Sequence, residues 1–321
     1  TSMRIMELFY TEGGFPKGVV NLVTCSRVEA DILLTDERVK AVTFVGTTGV
    51  GKQVYSKAAA HGKRVQAQCE AKNHALVLED CNLEATVNAI INSTYGCAGM
   101  RCMALPVVCV QESIADEFVS LLKKKAEAMK LGCAYDEETD LGPVVNAGHK
   151  EKICNWIQKG IDEGAELVLD GRNVAVLGYE NGFFVGPTIL DHVTPEMTVG
   201  NREIFGPVTC IKRVKDYEEG IRVMNANPFA NGSCIFTQSG YYSRKFAMET
   251  DGGMVGINVG IPVPTAYFPF SGNKDSFFGD LHVLGKDGYR FFTRAKTVTT
   301  HWFDEAAGKR KVGTWEGSTE A

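Results

Sequence analysis

The sequence predicts an α/β fold built on a mostly parallel sheet. Strand-like apolar runs alternate with helix-period segments from the start of the chain. A glycine-rich turn joins one such run, Ala41 to Val45, directly to a helix. Beyond it, long amphipathic helices separate further apolar runs.

The opening helix carries Met3, Ile5, Met6, Leu8 and Phe9 at helical spacing. It stops at Gly13-Gly14, with Phe15 to Gly18 as a turn. Val19 to Val23 is a short β-rich run, Glu29 to Leu34 a helix, and Ala41 to Val45 a buried strand. Gly46 to Lys52 opens a helix through about His61, and Arg64 to Cys69 is the next strand. Leu83 to Tyr95 is a helix leading into a cysteine-containing turn, followed by the strand Val107 to Val110. Ile114 to Met129 is a long helix with Ile114, Phe118, Leu121, Leu122 and Ala126 on one face, and His149 to Glu163 is another. Gly182 to Ile189 and Val208 to Arg213 read as strands. Tyr217 to Ala226 reads as a helix stopped by Asn227-Pro228. Phe291 to Phe303 alternates as a final strand, and Asp304 to Ala321 is a polar tail expected to be loose.

A chain of 321 residues suggests about two domains. A net charge of -5 with no basic stripe argues against nucleic acid as a partner, and Lys123-Lys124-Lys125 reads as a solvated helix face. No apolar run reaches the length of a membrane span. The ten cysteines form no CxxC pair and the six histidines no paired-ligand spacing, so free thiols in a reducing compartment are expected, with no metal site. The chain opens at Thr1 inside a helical pattern, without an initiator methionine. It is expected to be the back portion of a longer protein, with any targeting segment upstream.

Four elements carry chemistry. Phe44 to Gly51 places Gly46, Thr47 and Gly49 at a strand-to-helix junction, where backbone N–H groups can approach a phosphate or simply cap a helix. Lys52 suggests a phosphate-binding P-loop, but Gln53 stands where that motif needs Ser or Thr. Glu203-Ile204-Phe205-Gly206-Pro207 offers a carboxylate suited to ribose hydroxyls and an aromatic suited to a flat ring; a capping acid and a core phenylalanine are the structural alternative. Tyr95 to Ala104 sets Cys102 after a glycine-rich turn with Arg101 beside it, the setting that exposes a thiol and favours its thiolate; a small buried hydrophobe is the alternative. Gln68 to His74 is a strand end feeding a polar loop.

In their order and spacing these four elements resemble the aldehyde dehydrogenase superfamily. Asp140-Leu141-Gly142-Pro143 and Gly182 to Ile189 support the match, which runs from Thr1 to about Trp302. Within it the chain is most similar to the CoA-acylating methylmalonate-semialdehyde dehydrogenases. That similarity rests on Lys72-Asn73-His74, Arg101 to Leu105, Gly178 to Gly182, Gly256 to Pro264 and Ser276 to Asp280. The resemblance implies an aldehyde dehydrogenase-like α/β fold. Residues 1–69 would be the remainder of a Rossmann-type NAD-binding domain and 70–277 a mixed α/β catalytic domain. Residues 278–303 would be a return segment and C-terminal oligomerisation strand, and 304–321 a loose tail.

The resemblance also implies roles. NAD is expected at Gly46, Thr47, Gly49, Glu203 and Phe205, and Cys102 is expected to attack the aldehyde and carry the acyl group as a thioester. The Cys102 backbone N–H would donate to the oxyanion; the family's second donor, an asparagine, lies upstream. Hydrolytic members carry glutamate at the position of Gln68. An amide cannot take a proton near pH 7, and a thiol is far more acidic than water, so Gln68 points to acyl transfer to CoA. Arg101 is expected to bind a substrate carboxylate and to promote the Cys102 thiolate, against the alternative of a structural salt bridge. The implied reaction oxidises malonate or methylmalonate semialdehyde, with loss of CO2, to acetyl-CoA or propionyl-CoA. The partners expected are the semialdehyde and CoA, with no nucleic acid and no membrane. A homodimer or homotetramer is expected at full length, in the mitochondrial matrix of a eukaryote or the cytoplasm of a bacterium. The alternatives are a hydrolytic enzyme using Glu70 as a displaced base, or an inactive chain of the same fold. The sequence departs from the family pattern at Glu70, where glycine is usual, at Met100, where glutamine is usual, and at Cys97. Without the leading strands of the nucleotide-binding fold, a sheet edge is expected to be exposed.

Overall fold

The computed structural model describes residues 1–302. Its strands are β1 (Ala41–Val45), β2 (Arg64–Gln68), β3 (His74–Val77), β4 (Val107–Gln111), β5 (Glu166–Leu169), β6 (Thr188–Asp191), β7 (Val208–Val214), β8 (Phe229–Ala230), β9 (Gly232–Phe236), β10 (Met254–Ile257), β11 (Asn273–Lys274) and β12 (Phe277–Phe278). Its α-helices are α1 (Ser2–Thr11), α2 (Arg27–Ala30), α3 (Ile32–Thr35), α4 (Thr48–Ala60), α5 (Leu83–Tyr95), α6 (Ala115–Glu127), α7 (Ala147–Asp162), α8 (Tyr217–Asn225), α9 (Gly240–Glu249) and α10 (Gly285–Phe292).

A seven-stranded sheet runs in the order β10-β9-β3-β4-β7-β6-β5. All its pairings are parallel except β5 with β6. The apolar strands Val107-Val108-Cys109-Val110 and Ala75-Leu76-Val77 are wholly buried, as parallel strands covered on both faces must be. One layer joins Val87 and Ile90 of α5, Phe118 and Leu122 of α6 and Ile153 and Ile157 of α7. The other joins Leu76 and Cys109 to Tyr217, Val223 and Phe246 of α8 and α9. Side-chain caps begin α5, α7, α8 and α9, as when Asn82 accepts from the Ala85 N–H at 3.0 Å and Asp216 from the Glu219 N–H at 2.9 Å.

A smaller sheet of order β1-β2-β12 lies at one end. β1 and β2 pair in parallel, and β12 returns antiparallel so that Phe277 faces Gln68. Among the described residues β1 has only β2 as a neighbour, so its other edge is open as expected.

Four sequence expectations are corrected. Val19 to Val23 forms no strand: its backbone folds over the turn made by Pro16 O and the Val19 N–H, and no strand pairs with it. The helix expected at Glu29 to Leu34 is two short ones, because Ser26 and Glu29 form a reciprocal cap that starts a helix at Arg27 and Asp31 separates it from the next. Gly182 to Ile189 is extended only from Thr188, since Pro187 has no N–H and Gly186 lies against Gly171. The final strand does not begin at Phe291, and residues 293–302 pair with no strand among the described residues. Phe291 and Phe292 end α10, where the Arg64 guanidinium takes the carbonyls of Arg290 and Thr293 at 3.3 and 2.7 Å. The last residue assigned to that strand, Phe303, and the expected loose tail lie outside the described residues.

Candidate active site

The cysteine turn is built by backbone conformations that side chains usually avoid. After α5, Cys97 and Ala98 sit at φ 54° and 53° and Gly99 at 69°. A Cβ at Gly99 would stand 2.1 Å from the Gly206 carbonyl oxygen, so only glycine lets the two backbones touch. The turn is thereby pressed onto the Glu203–Pro207 loop. Phe205 in that loop is also left-handed, at φ 60°, and its carbonyl accepts from His149 Nε2 at 2.7 Å.

Cys102 is half-buried in the cleft that Arg101, Ala71, Glu203 and Phe205 also line. Its carbonyl accepts from Asn73 Nδ2 at 3.0 Å and Asn231 Nδ2 at 3.1 Å. Asn73 donates again to Ala104 O at 2.7 Å and accepts from the Gly232 N–H at 2.8 Å. Gln68 Nε2 donates to Asn231 Oδ1 at 2.9 Å. The amide of Gln68 is therefore tied, through one asparagine, to the carbonyl of the candidate nucleophile. Gln68 Oε1 is buried with no hydrogen-bond partner. A buried acceptor left this way costs about 1–3 kcal/mol.

The segment from Gln68 to Ala71 joins the other elements. Glu70 accepts from the Thr48 N–H at 2.9 Å, at the first residue of α4, and Ala71 donates its N–H to Glu203 Oε1 at 3.2 Å. Ser276 fixes the segment from behind. Its carbonyl accepts from the Cys69 N–H at 2.8 Å and its hydroxyl donates to Glu70 O at 2.7 Å. All four chemical elements thus meet around one strand end.

Electrostatics correct one expectation. The Cys102 thiol lies above the ordinary thiol range. Burial is the first cause and the negative charge of Glu203 the second, outweighing the hydrogen bonds from backbone N–H groups at Cys102 and Met103. Arg101 does not lower it. The guanidinium folds back over Gly96 and donates Nε–H to Cys97 Sγ at 3.2 Å. No carboxylate pairs with Arg101 among the described residues. Burial raises the Glu203 carboxyl to about 7. Beside the site, Lys72 is fully buried with Nζ unpartnered, and burial also depresses His74 and Lys212.

Gly46, Thr47 and Gly49 lie at the start of α4, linked to the cysteine cleft through Glu70 and Ala71. Asn231 and His149 are site residues that the sequence reading missed. Asn231 stands alone in a run without motif, and His149 reads only as a helix start; chain folding alone places them. Asn73 was visible, but only as part of the Lys72-Asn73-His74 resemblance.

Residues 1–298 match the sequence model of the Aldehyde dehydrogenase family. A malonate-semialdehyde dehydrogenase of Oceanobacillus iheyensis is 48% identical over 94% of this chain and 61% of its own length. One of Bacillus mycoides is 50% identical over 93% of this chain and 62% of its own length. The chain thus spans about three fifths of the length of these curated relatives. Among solved structures, the methylmalonate-semialdehyde dehydrogenase of Oceanimonas doudoroffii superposes with a TM-score of 0.92 at 42% identity, covering 96% of this chain and 64% of that one. A Staphylococcus aureus betaine aldehyde dehydrogenase solved with NAD+ superposes with a TM-score of 0.85 at 28% identity, covering 89% of this chain and 56% of that one. With residues 1–298 matched by the family's model and nearly all of its length by these relatives, the chain belongs to the aldehyde dehydrogenase family.

Proposed function

We propose that this chain carries the acyl-transfer centre of an NAD-dependent, CoA-acylating semialdehyde dehydrogenase acting on malonate or methylmalonate semialdehyde. The observation that carries the proposal is the amide of Gln68, held by Asn231 behind Cys102 with its oxygen unpartnered. Names of the relatives and the solved structures support the substrate class.

The residues present fit the dinucleotide. A Cβ at Gly49 would meet nothing within 4 Å, so the backbone beside the α4 N-terminus is open to a phosphate once the Glu70 carboxylate that accepts from the Thr48 N–H moves aside. Glu203 and Phe205 supply an acceptor and an exposed ring in the cleft of Cys102. When bound, NAD supplies the hydride acceptor. The protein's own part begins with the Cys102 thiolate adding to the aldehyde carbon. The alkoxide that forms lies within reach of the Cys102 N–H. After oxidation the acyl group remains on Cys102 as a thioester. Gln68 cannot deprotonate water, so the CoA thiolate attacks the acyl carbon and Cys102 leaves as thiolate. The bond between the α-carbon and the β-carboxylate breaks to release CO2, and its electron pair forms a thioester enolate that takes a proton from solvent at the α-carbon, giving acetyl-CoA or propionyl-CoA. Arg101, free of any carboxylate partner among the described residues, is the cation for that carboxylate.

The hydrolytic alternative needs Glu70 as base; in this structure its carboxylate accepts from the Thr48 N–H at α4, and the product formed without CoA decides between the two readings. The test is NADH formation with malonate semialdehyde, with and without CoA, in wild type and Gln68→Glu. The expected result is CoA-dependent turnover yielding acyl-CoA in wild type, and CoA-independent release of free acid in Gln68→Glu. Free acid from the wild type at the same rate without CoA would overturn the proposal, and no turnover under any condition would favour an inactive chain of this fold.

A further inference from the structure

We infer that Glu70 occupies the phosphate seat at the N-terminus of α4, so that dinucleotide binding must displace a carboxylate of the chain itself. The inference rests on the NAD reading above and goes beyond it. A helix N-terminus attracts anions through its free N–H groups. Here the N–H of Thr48, the first residue of α4, is already taken by Glu70 Oε2 at 2.9 Å. The carboxylate is delivered by a fixed backbone, since the Glu70 carbonyl accepts from the wholly buried Ser276 hydroxyl at 2.7 Å. A second acid commits the nearby cation. Lys52, one turn into α4, pairs with Asp275 at 3.0 Å, and Thr48 Oγ1 donates to the Asp275 carbonyl at 3.0 Å. Both attractions that this end of the helix could offer a pyrophosphate are therefore answered by internal carboxylates. A pyrophosphate seated there would also meet the charge of Glu70 at contact range. The glycine usual at position 70 in the family would present neither obstacle.

The test titrates wild type, Glu70→Gln and Glu70→Gly with NADH by fluorescence and with inorganic pyrophosphate by calorimetry, at low and high salt. Glu70→Gln keeps the side-chain bulk and removes the charge, which guards against a Glu70→Gly chain that fails to fold. The expected result is that both variants bind NADH and pyrophosphate about tenfold more tightly than wild type at low salt, with the gap narrowing at high salt. Equal affinities for both ligands in wild type and variants would overturn the inference. A gain for pyrophosphate without any binding of NADH would uphold the inference and overturn the NAD reading.

Discussion

At the scale of single residues, the site is defined by two groups that burial pushes toward neutrality. The Glu203 carboxyl is raised to about 7. Its folded value exceeds its unfolded one, so the stability it contributes is present at acidic pH and lost as pH rises toward and through 7. Glu203→Gln should therefore stabilise the chain relative to wild type above pH 7, on the order of 3 kcal/mol, and much less near pH 5. Thermal melts at the two pH values check this, and an equal effect at both would count against it. The Cys102 thiol, raised by burial and by Glu203, should alkylate with a midpoint above the ordinary thiol range, and Glu203→Gln should move that midpoint down. The pH dependence of iodoacetamide labelling at Cys102, read by mass spectrometry, measures both. Replacing Arg101 by Ala should raise KM for malonate semialdehyde at least about tenfold while leaving an uncharged aldehyde little changed. Equal effects on the two substrates would remove Arg101 from substrate binding.

At the scale of elements, the site depends on contacts between segments far apart in sequence. Gly99 on Gly206 is the tightest of them. Gly99→Ala adds both a backbone clash and a strained left-handed residue, and should cost about 3 kcal/mol or more in denaturant melts. Asn231→Ala leaves the Gln68 amide without its acceptor and takes one of two donors from the Cys102 carbonyl. A loss of about 2–3 kcal/mol and slower Cys102 labelling are expected. These contacts also explain what the sequence could and could not tell. α5, α6 and β4 were legible because each has a clean period, a cap or a run of apolar residues. The cysteine, the amide at position 68 and the Glu203 loop were legible as motifs. Asn231 was not, because its role exists only once β9 lies beside β3. The C-terminal alternation misplaces only its start at Phe291, because Arg64, more than two hundred residues earlier, closes a helix there instead.

At the scale of the whole molecule, the chain divides its stability unevenly. β3, β4 and β7 lie in the middle of the large sheet with helices on both faces, whereas β1 is paired on one side and half-exposed. Beside β1, a cavity of about 860 Å³ lined by Leu33, Val42, Phe44, Val50 and Val54 opens to the surface. Hydrogen exchange should therefore be slowest at β4 and fastest among the strands at β1. Against this background the Cys102 cleft is a well-supported unit, because its cysteine, its amide and both asparagines hang from the protected sheet or its immediate border. The central claim is that Cys102 holds an acyl group that water does not remove and a thiol does. Intact-protein mass spectrometry tests it directly, on the chain mixed with NAD and malonate semialdehyde and then given CoA. An acyl adduct at Cys102 is expected that persists without CoA and is discharged when CoA is added. An adduct that clears equally fast without CoA, or none at Cys102, would contradict it.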